Sequence, residues 1–361
     1  MSEQQPQLTV VFPTRNRTHM VIAVLKLFKA IGLPYPLIIA DSSDILDEAV
    51  VRAAEDNAAI IQRYPPDMGV YDKLGEVMKS VSSPFVLTVP DKKITLLYGI
   101  DGMLNYLQNR DDFVASSGYV MRYAMDGLDA DIYRVHIFTP SIVDAHPLRR
   151  LYELLRRYQP SIFALFRTEA LAMAATAASA VRGLLFQELT FMNACVLQGK
   201  IARLPAVLAL HGVERSHGPI IRRNPIYWFL DDGRSFLEHY SGYCDALAAL
   251  IANLGIASPN GVDIMRLLDL MHASWLGHNV DTGMINHTIR GLLGDEMRPL
   301  TEEDDWPGQR PIGPHDRVDH IGEYRHIWRH AVLKAEPRYE IVITERDIAQ
   351  VNHALALVHA S

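Results

Sequence analysis

The sequence predicts an α/β fold, a largely parallel sheet with crossover helices, extended at its C-terminal side by helices. Three observations carry this. Short continuous apolar runs at residues 8–12, 37–40 and 85–89 each stop at a polar cluster, as strands buried on both faces do. Between them, apolar residues recur at helical spacing. From residue 227 to 293 the pattern is helical throughout, with Phe236, Leu237, Tyr240, Tyr243, Cys244 and Leu247 on one face and Ile264, Leu267, Leu268 and Met271 on another.

In chain order, the run 8–12 is β-rich and stops at Pro13, and after Thr14, Arg15, Asn16 and Arg17 the stripe Met20, Val21, Val24, Leu25 and Phe28 predicts a helix. Gly32 and Pro34 end that helix, so the next run, 37–40, completes a βαβ unit that enters the loop Asp41, Ser42, Ser43, Asp44. Val70, Tyr71, Leu74, Val77, Met78 and Val81 form a second helical stripe. Pro84 introduces the strand 85–89, which runs into Asp91, Lys92 and Lys93. Further strands are expected at 113–119, 133–138 and 161–166, helices at 168–181 and 185–198, and an extended segment at 201–211. The α/β body is expected to span 1–220, a helical subdomain 221–294, and a linker with a closing α/β extension 295–361. In parallel sheets ligands sit beyond the carboxyl ends of the strands, where three polar loops would here share one crevice.

Composition narrows the function classes. With 361 residues, 49% hydrophobic and 21% charged, the chain can bury a sizeable core. A net charge of -7 disfavours nucleic acid as a partner. Cys195 and Cys244 form no CxxC spacing, which suggests neither a disulfide framework nor a cysteine zinc site and fits a reducing compartment. The polar start shows no signal-peptide pattern and no run is apolar enough to span a bilayer, so a cytoplasmic location is expected.

The segments Phe12-Pro13-Thr14-Arg15-Asn16-Arg17, Ile38-Ile39-Ala40-Asp41-Ser42-Ser43, Tyr64-Pro65-Pro66 and Tyr71-Asp72-Lys73-Leu74, with the strand ending at Asp91, together resemble a bacterial family of GT-A glycosyltransferases related to the large family-2 group. The likeness continues through 157–169, Phe186-Gln187-Glu188-Leu189, Gln198-Gly199-Lys200 and Ser216-His217, covering about residues 8–220. It implies a GT-A, Rossmann-like nucleotide-diphospho-sugar transferase core. It also implies a nucleotide-sugar donor held by Pro13, Arg15, Asp41, Asp91, Lys92 and His217, with His211 and His217 in a loop that folds toward the diphosphate. In that family a run of aspartates follows the strand, the third holding a divalent cation, Mg²⁺ or Mn²⁺. Here the run reads Asp91-Lys92-Lys93, so the carboxylate ligand is replaced by an ammonium. A fixed ammonium can stabilise the diphosphate leaving group as a metal would, so no metal is expected to be required and Lys93 joins the catalytic set.

Glu188 lies on an otherwise apolar helix, where a carboxyl would have its pKa raised and could act as the base toward an acceptor hydroxyl; a half-exposed carboxylate paired with an arginine is the plain alternative. Asp41 and its serines are also ordinary turn and capping residues. Lys73 on its helix could face the crevice, although a helix lysine reads first as a solvated residue, and Arg149, Arg150, Arg156 and Arg157 read as a solvated face or partner contact. His315, His320, His326 and His330 have no zinc-site spacing. A catalytically silent nucleotide-binding or scaffold protein, and another group transfer in the same pocket, stay open beside sugar transfer to an unknown acceptor. Residues 295–361 could cap the acceptor site or form a homodimer contact.

Overall fold

The computed structural model describes residues 6–91, 93–126, 129–137, 139–156, 158–212, 225–258, 261–279 and 345–359. The fold is α/β with a helical extension, as predicted. Its first half contains strands β1 (Leu8–Thr14), β2 (Leu37–Asp41), β3 (Ile60–Arg63) and β4 (Phe85–Thr88), with helices α1 (Thr18–Ile31), α2 (Glu48–Glu55) and α3 (Val70–Met78) in the crossovers. These four strands are parallel in the order β3-β2-β1-β4, a Rossmann-like half-sheet.

β1 is buried along its whole length, which explains its unbroken apolar run. It also continues through Pro13, two residues beyond its expected end. The missing N–H is tolerated because Pro13 shares the side of Val11, whose carbonyl accepts from Val89 N, and paired β4 has ended by this level. Helix α1 ends at Gly32, left-handed at φ 64°, where Gly32 N and Leu33 N return to the carbonyls of Lys29 and Phe28.

The second half adds β5 (Lys93–Thr95), α4 (Ile100–Gln108), β6 (Phe113–Asp126), β7 (Asp129–Ile137), α5 (Pro147–Arg156), β8 (Leu165–Arg167), α6 (Thr168–Ser179), α7 (Leu184–Gln198) and β9 (Lys200–Gly212). β8 lies antiparallel between β4 and β6, β9 runs parallel to β6, and β5 closes the sheet antiparallel to β9. Two expectations change. The strand expected at 161–166 is only Leu165–Arg167, because residues 158–164 leave the sheet and line the site described below. The strand expected at 113–119 extends to Asp126 because it forms a long hairpin with β7.

Helix α7 is the central helix of the molecule. Residues from Leu189 to Leu197 are buried on every side, with the sheet beneath and the helical extension above. That extension comprises α8 (Pro225–Asp231), α9 (Gly233–Asn253) and α10 (Ile264–Asn279). Its core is aromatic: Phe186 of α7 packs within 5.5 Å, ring centroid to centroid, of Trp228, Phe236 and Tyr243. Gly183, at φ 83°, starts α7 against Trp228, where an added Cβ would stand 2.8 Å from the indole. Leu237, expected in this core, is 55% exposed, since α9 presents its neighbour Phe236 instead.

Helix α11 (Glu345–His359) returns to the first half and packs on α1 and β9, burying Val351, Ala354 and Leu355. Asp347 accepts a hydrogen bond from Val207 N at 3.2 Å. Among the described residues no helix is long and apolar enough to cross a membrane.

Candidate active site

The carboxyl ends of β1, β2 and β4 meet as expected. Thr14 ends β1 in register with Asp41, which ends β2, and Asp41 lies in register with Arg63 of β3. Asp41 is buried; its Oδ1 accepts from Ser43 N at 2.9 Å and Ser43 Oγ at 2.6 Å, and its Oδ2 pairs with the Arg63 guanidinium. Arg63 also donates to Ser43 O at 2.7 Å, so the loop after β2 is folded around one ion pair. Asn16, at φ 53°, clasps the same loop through Ser43 and Asp44. Arg15, next to it, is exposed at the mouth.

Across the crevice, Thr14 Oγ1 donates to Asp91 Oδ2 at 3.3 Å, tying the end of β1 to the turn after β4. Pro13 is buried beneath this contact.

Lys73 overturns its expected role as a solvated helix residue. It is 3% exposed, and its ammonium donates to Thr14 O at 2.7 Å and to Ser42 Oγ at 2.8 Å, joining the ends of β1 and β2 from below. Burial pushes its pKa down to about 8, against the pull of Asp41 and Asp91, while Arg15 pushes the same way as burial. The signal was present in the sequence, because Lys73 stands among Val70, Leu74 and Val77 on the apolar stripe of α3.

Lys93 opens β5 opposite His211 of β9, and its ammonium lies 5.3 Å from the centre of the Phe163 ring. The segment carrying Phe163 is fastened to β4, where Thr88 Oγ1 donates to Ile162 O at 2.6 Å. Lys92, His217 and the histidines from His315 to His330 fall outside the described residues. Among the described residues, no three His, Cys, Asp or Glu side chains are placed to share a metal ion.

Glu188 sits half-buried on α7, and its Oε1 accepts from Tyr158 Oη at 2.9 Å. Burial, with the charge of Glu188 next in weight, holds the Tyr158 phenol far above its ordinary pKa, so it remains a donor. Tyr71 of α3 is buried beside the same carboxylate. One partner of Glu188 is thus a tyrosine from the 158–164 segment, which nothing in the local sequence indicated.

Arg150 also departs from expectation. It is buried, and its guanidinium donates to Val196 O and Leu197 O at the end of α7 and to Asp144 O and Ala145 O. It caps the helix that carries Glu188. Arg149 remains exposed, as expected.

No family model matches the chain, and no curated protein matches it. Among solved structures it is similar to S. aureus TarS, at 11% identity over 97% of this chain and 53% of that one, with a TM-score of 0.49. The chain therefore spans about half the length of that protein. It is also similar to mannosyl-3-phosphoglycerate synthase from Rubrobacter xylanophilus, at 12% identity, covering 72% of this chain and 79% of that one, TM-score 0.40. A third similarity is to glucosyl-3-phosphoglycerate synthase from Mycobacterium tuberculosis, solved with Mn²⁺, uridine diphosphate and glucosyl-3-phosphoglycerate. It has 16% identity, covers 71% and 82% of the two chains, and has a TM-score of 0.38. At these identities and scores the likeness leaves the chemistry of the site to this chain's own residues.

Proposed function

We propose that the chain is a GT-A type glycosyltransferase that takes a sugar from a nucleotide-sugar donor without requiring a divalent metal. The observation that carries this reading is the convergence of Thr14, Asp41, Lys73 and Asp91 at the carboxyl ends of three adjacent strands. This is where a Rossmann-like sheet takes a nucleotide. Arg15 and Asp91 would hold the nucleotide, and Asp41 would order the loop on which it rests.

In the transfer, Glu188 takes the proton of an acceptor hydroxyl as that oxygen bonds to the anomeric carbon. The bond from that carbon to the diphosphate breaks, and the electron pair leaves on the β-phosphate. Lys93, two residues beyond Asp91 in the chain, would neutralise that charge, and a preorganised cation acts most strongly where charge develops. The tie between Asp41 and Arg63 favours a second reading, a protein that binds nucleotide and does not turn it over, since it leaves Asp41 a loop-organising role.

Titration calorimetry with a panel of nucleoside diphosphates and nucleotide sugars in EDTA tests the proposal. The expected result is binding without metal that Asp91→Ala weakens in a folded variant. Failure of the whole panel to bind, or binding that appears only with Mn²⁺, would overturn it. Binding with no transfer to any acceptor would select the second reading.

A further inference from the structure

A cavity of about 160 Å³ lies under α5. Its rim is exposed at Pro140, Val143 and Glu153, and its inner wall is buried at Leu154, Gln159, Ser161 and Met192. Met192 stands one helical turn beyond Glu188 on α7, and Gln159 follows Tyr158, whose hydroxyl holds the Glu188 carboxylate. The cavity lining thus includes neighbours in the chain of both members of the Glu188–Tyr158 pair.

Arg203 of β9 lines this cavity with its guanidinium. Its Nε donates to Thr139 O at 3.1 Å, one terminal nitrogen to Ser117 Oγ at 2.8 Å and Gly118 O at 2.7 Å, and the other to Ser161 Oγ at 2.8 Å. Every one of these acceptors is neutral. A guanidinium has five N–H groups, so these four bonds leave one N–H on the nitrogen that reaches Ser161. Burial lowers the Arg203 pKa to about 10, with Tyr119 opposing, so the group stays cationic at neutral pH. Arg203 is half-buried, and a cation partly withdrawn from water with no carboxylate paired to it among the described residues is costly unless something else supplies the charge. With Arg203 and Arg156 against Glu153, the cavity lining carries a net charge of +1.

Arg150 makes a contrast with Arg203. Arg150 is buried and also bonded to carbonyls, but it caps the end of a helix, where the carbonyl dipoles add up to negative potential. Arg203 has no helix end to serve. Its strand-borne guanidinium is instead held in place from three separate segments, at Thr139, at Ser117 and Gly118, and at Ser161. Gly118 permits this closeness, since a Cβ there would collide with Ala206 O.

We propose that this cavity is an oxyanion subsite in which Arg203, with Ser141, Gln159 and Ser161 around it, receives the carboxylate or phosphate group of the acceptor. The word acceptor rests on the transfer reading above; the binding of an oxyanion does not. Such a group would meet the remaining Arg203 N–H and place the rest of a small molecule toward Glu188. The cavity has room for several waters, and so for a phosphate or a carboxylate on a short carbon chain.

Inorganic phosphate and succinate, titrated separately into the folded protein at low salt and followed by calorimetry, provide the test. At least one should bind, and which one does separates the two oxyanions. Arg203→Met should weaken that binding at least tenfold, whereas Arg203→Lys should recover part of it. Glu153→Gln, an exposed change that leaves the fold alone, should strengthen binding several-fold by removing the opposing charge at the rim. This arm decides the matter if Arg203→Met fails to fold. The Arg203-dependent binding should survive Lys93→Ala, and uridine diphosphate binding should survive Arg203→Met, so failure here and failure of the donor reading give different results. Binding of neither probe overturns the subsite. So does an unchanged affinity in Glu153→Gln, or loss of all anion binding in Lys93→Ala.

Discussion

The strand-end crevice and the cavity under α5 handle buried charge in opposite ways. In the crevice, Asp41 meets Arg63, and Lys73 lies within the field of both Asp41 and Asp91. In the cavity, Arg203 is bonded to carbonyls and hydroxyls alone. The crevice is preorganised by its own ion pairs, whereas the cavity has its cation in place and lacks the anion. Glu188 accepts from Tyr158, next in the chain to the cavity-lining Gln159, and lies beside Tyr71 of the helix that carries Lys73. A donor on one side and an anionic acceptor on the other would meet at that carboxylate.

The largest expected effect is at the junction. Glu188→Gln keeps the shape and the Tyr158 contact but removes the proton acceptor. Turnover should fall by about 10²-fold or more with donor affinity little changed, as initial rates and calorimetry on the same preparation would report. Full activity in that variant would remove the link between the two regions.

The next effect separates the lysine from a metal. Lys93→Ala should weaken nucleoside diphosphate binding by about one to two orders of magnitude and nucleoside binding less. A charge-assisted phosphate contact of roughly 1.5 to 3 kcal/mol is then lost. Chelator should leave wild-type binding unchanged. Equal losses for diphosphate and nucleoside would place Lys93 away from the phosphates.

The smallest effect concerns how the crevice tolerates its own cation. With a folded pKa near 8 against an ordinary 10.5, Lys73 releases its proton in the folded chain between about pH 8 and pH 10, while the unfolded chain keeps it. Stability from this group therefore rises with pH across that window, by at most about 2 kcal/mol between pH 7 and pH 9.5, and is level below it, where both states hold the proton. Urea denaturation at the two pH values should show the rise in the wild type and not in Lys73→Met. An identical pH response in both would show that the lysine is not desolvated as its burial implies.

Much of the first half was legible in the sequence because its signals are local. The apolar runs of β1, β2 and β4 are continuous, and the polar residues that follow them sit at the strand ends. β3 went unnoticed because it is an edge strand whose Ile60 is 58% exposed, so it carries no clean apolar pattern. Lys73 was misjudged by residue type although its spacing pointed inward. For Arg150 and Arg203 even spacing offered no help, since each is defined by carbonyls or hydroxyls remote in the chain.

By itself, then, the sequence determined the α/β class, the βαβ start, the apolar helix α7 with a lone glutamate, and the Asp91-Lys92-Lys93 turn beyond a buried strand. Each is written within a few residues, as periodicity or as a break in it. The tertiary structure alone decided that Tyr158 holds Glu188, that Lys73 joins two strand ends, that α11 returns onto α1, and that Arg203 is left without a carboxylate. These contacts join residues from 30 to more than 300 positions apart, and which distant polar group answers a buried one depends on how the sheet and helices pack.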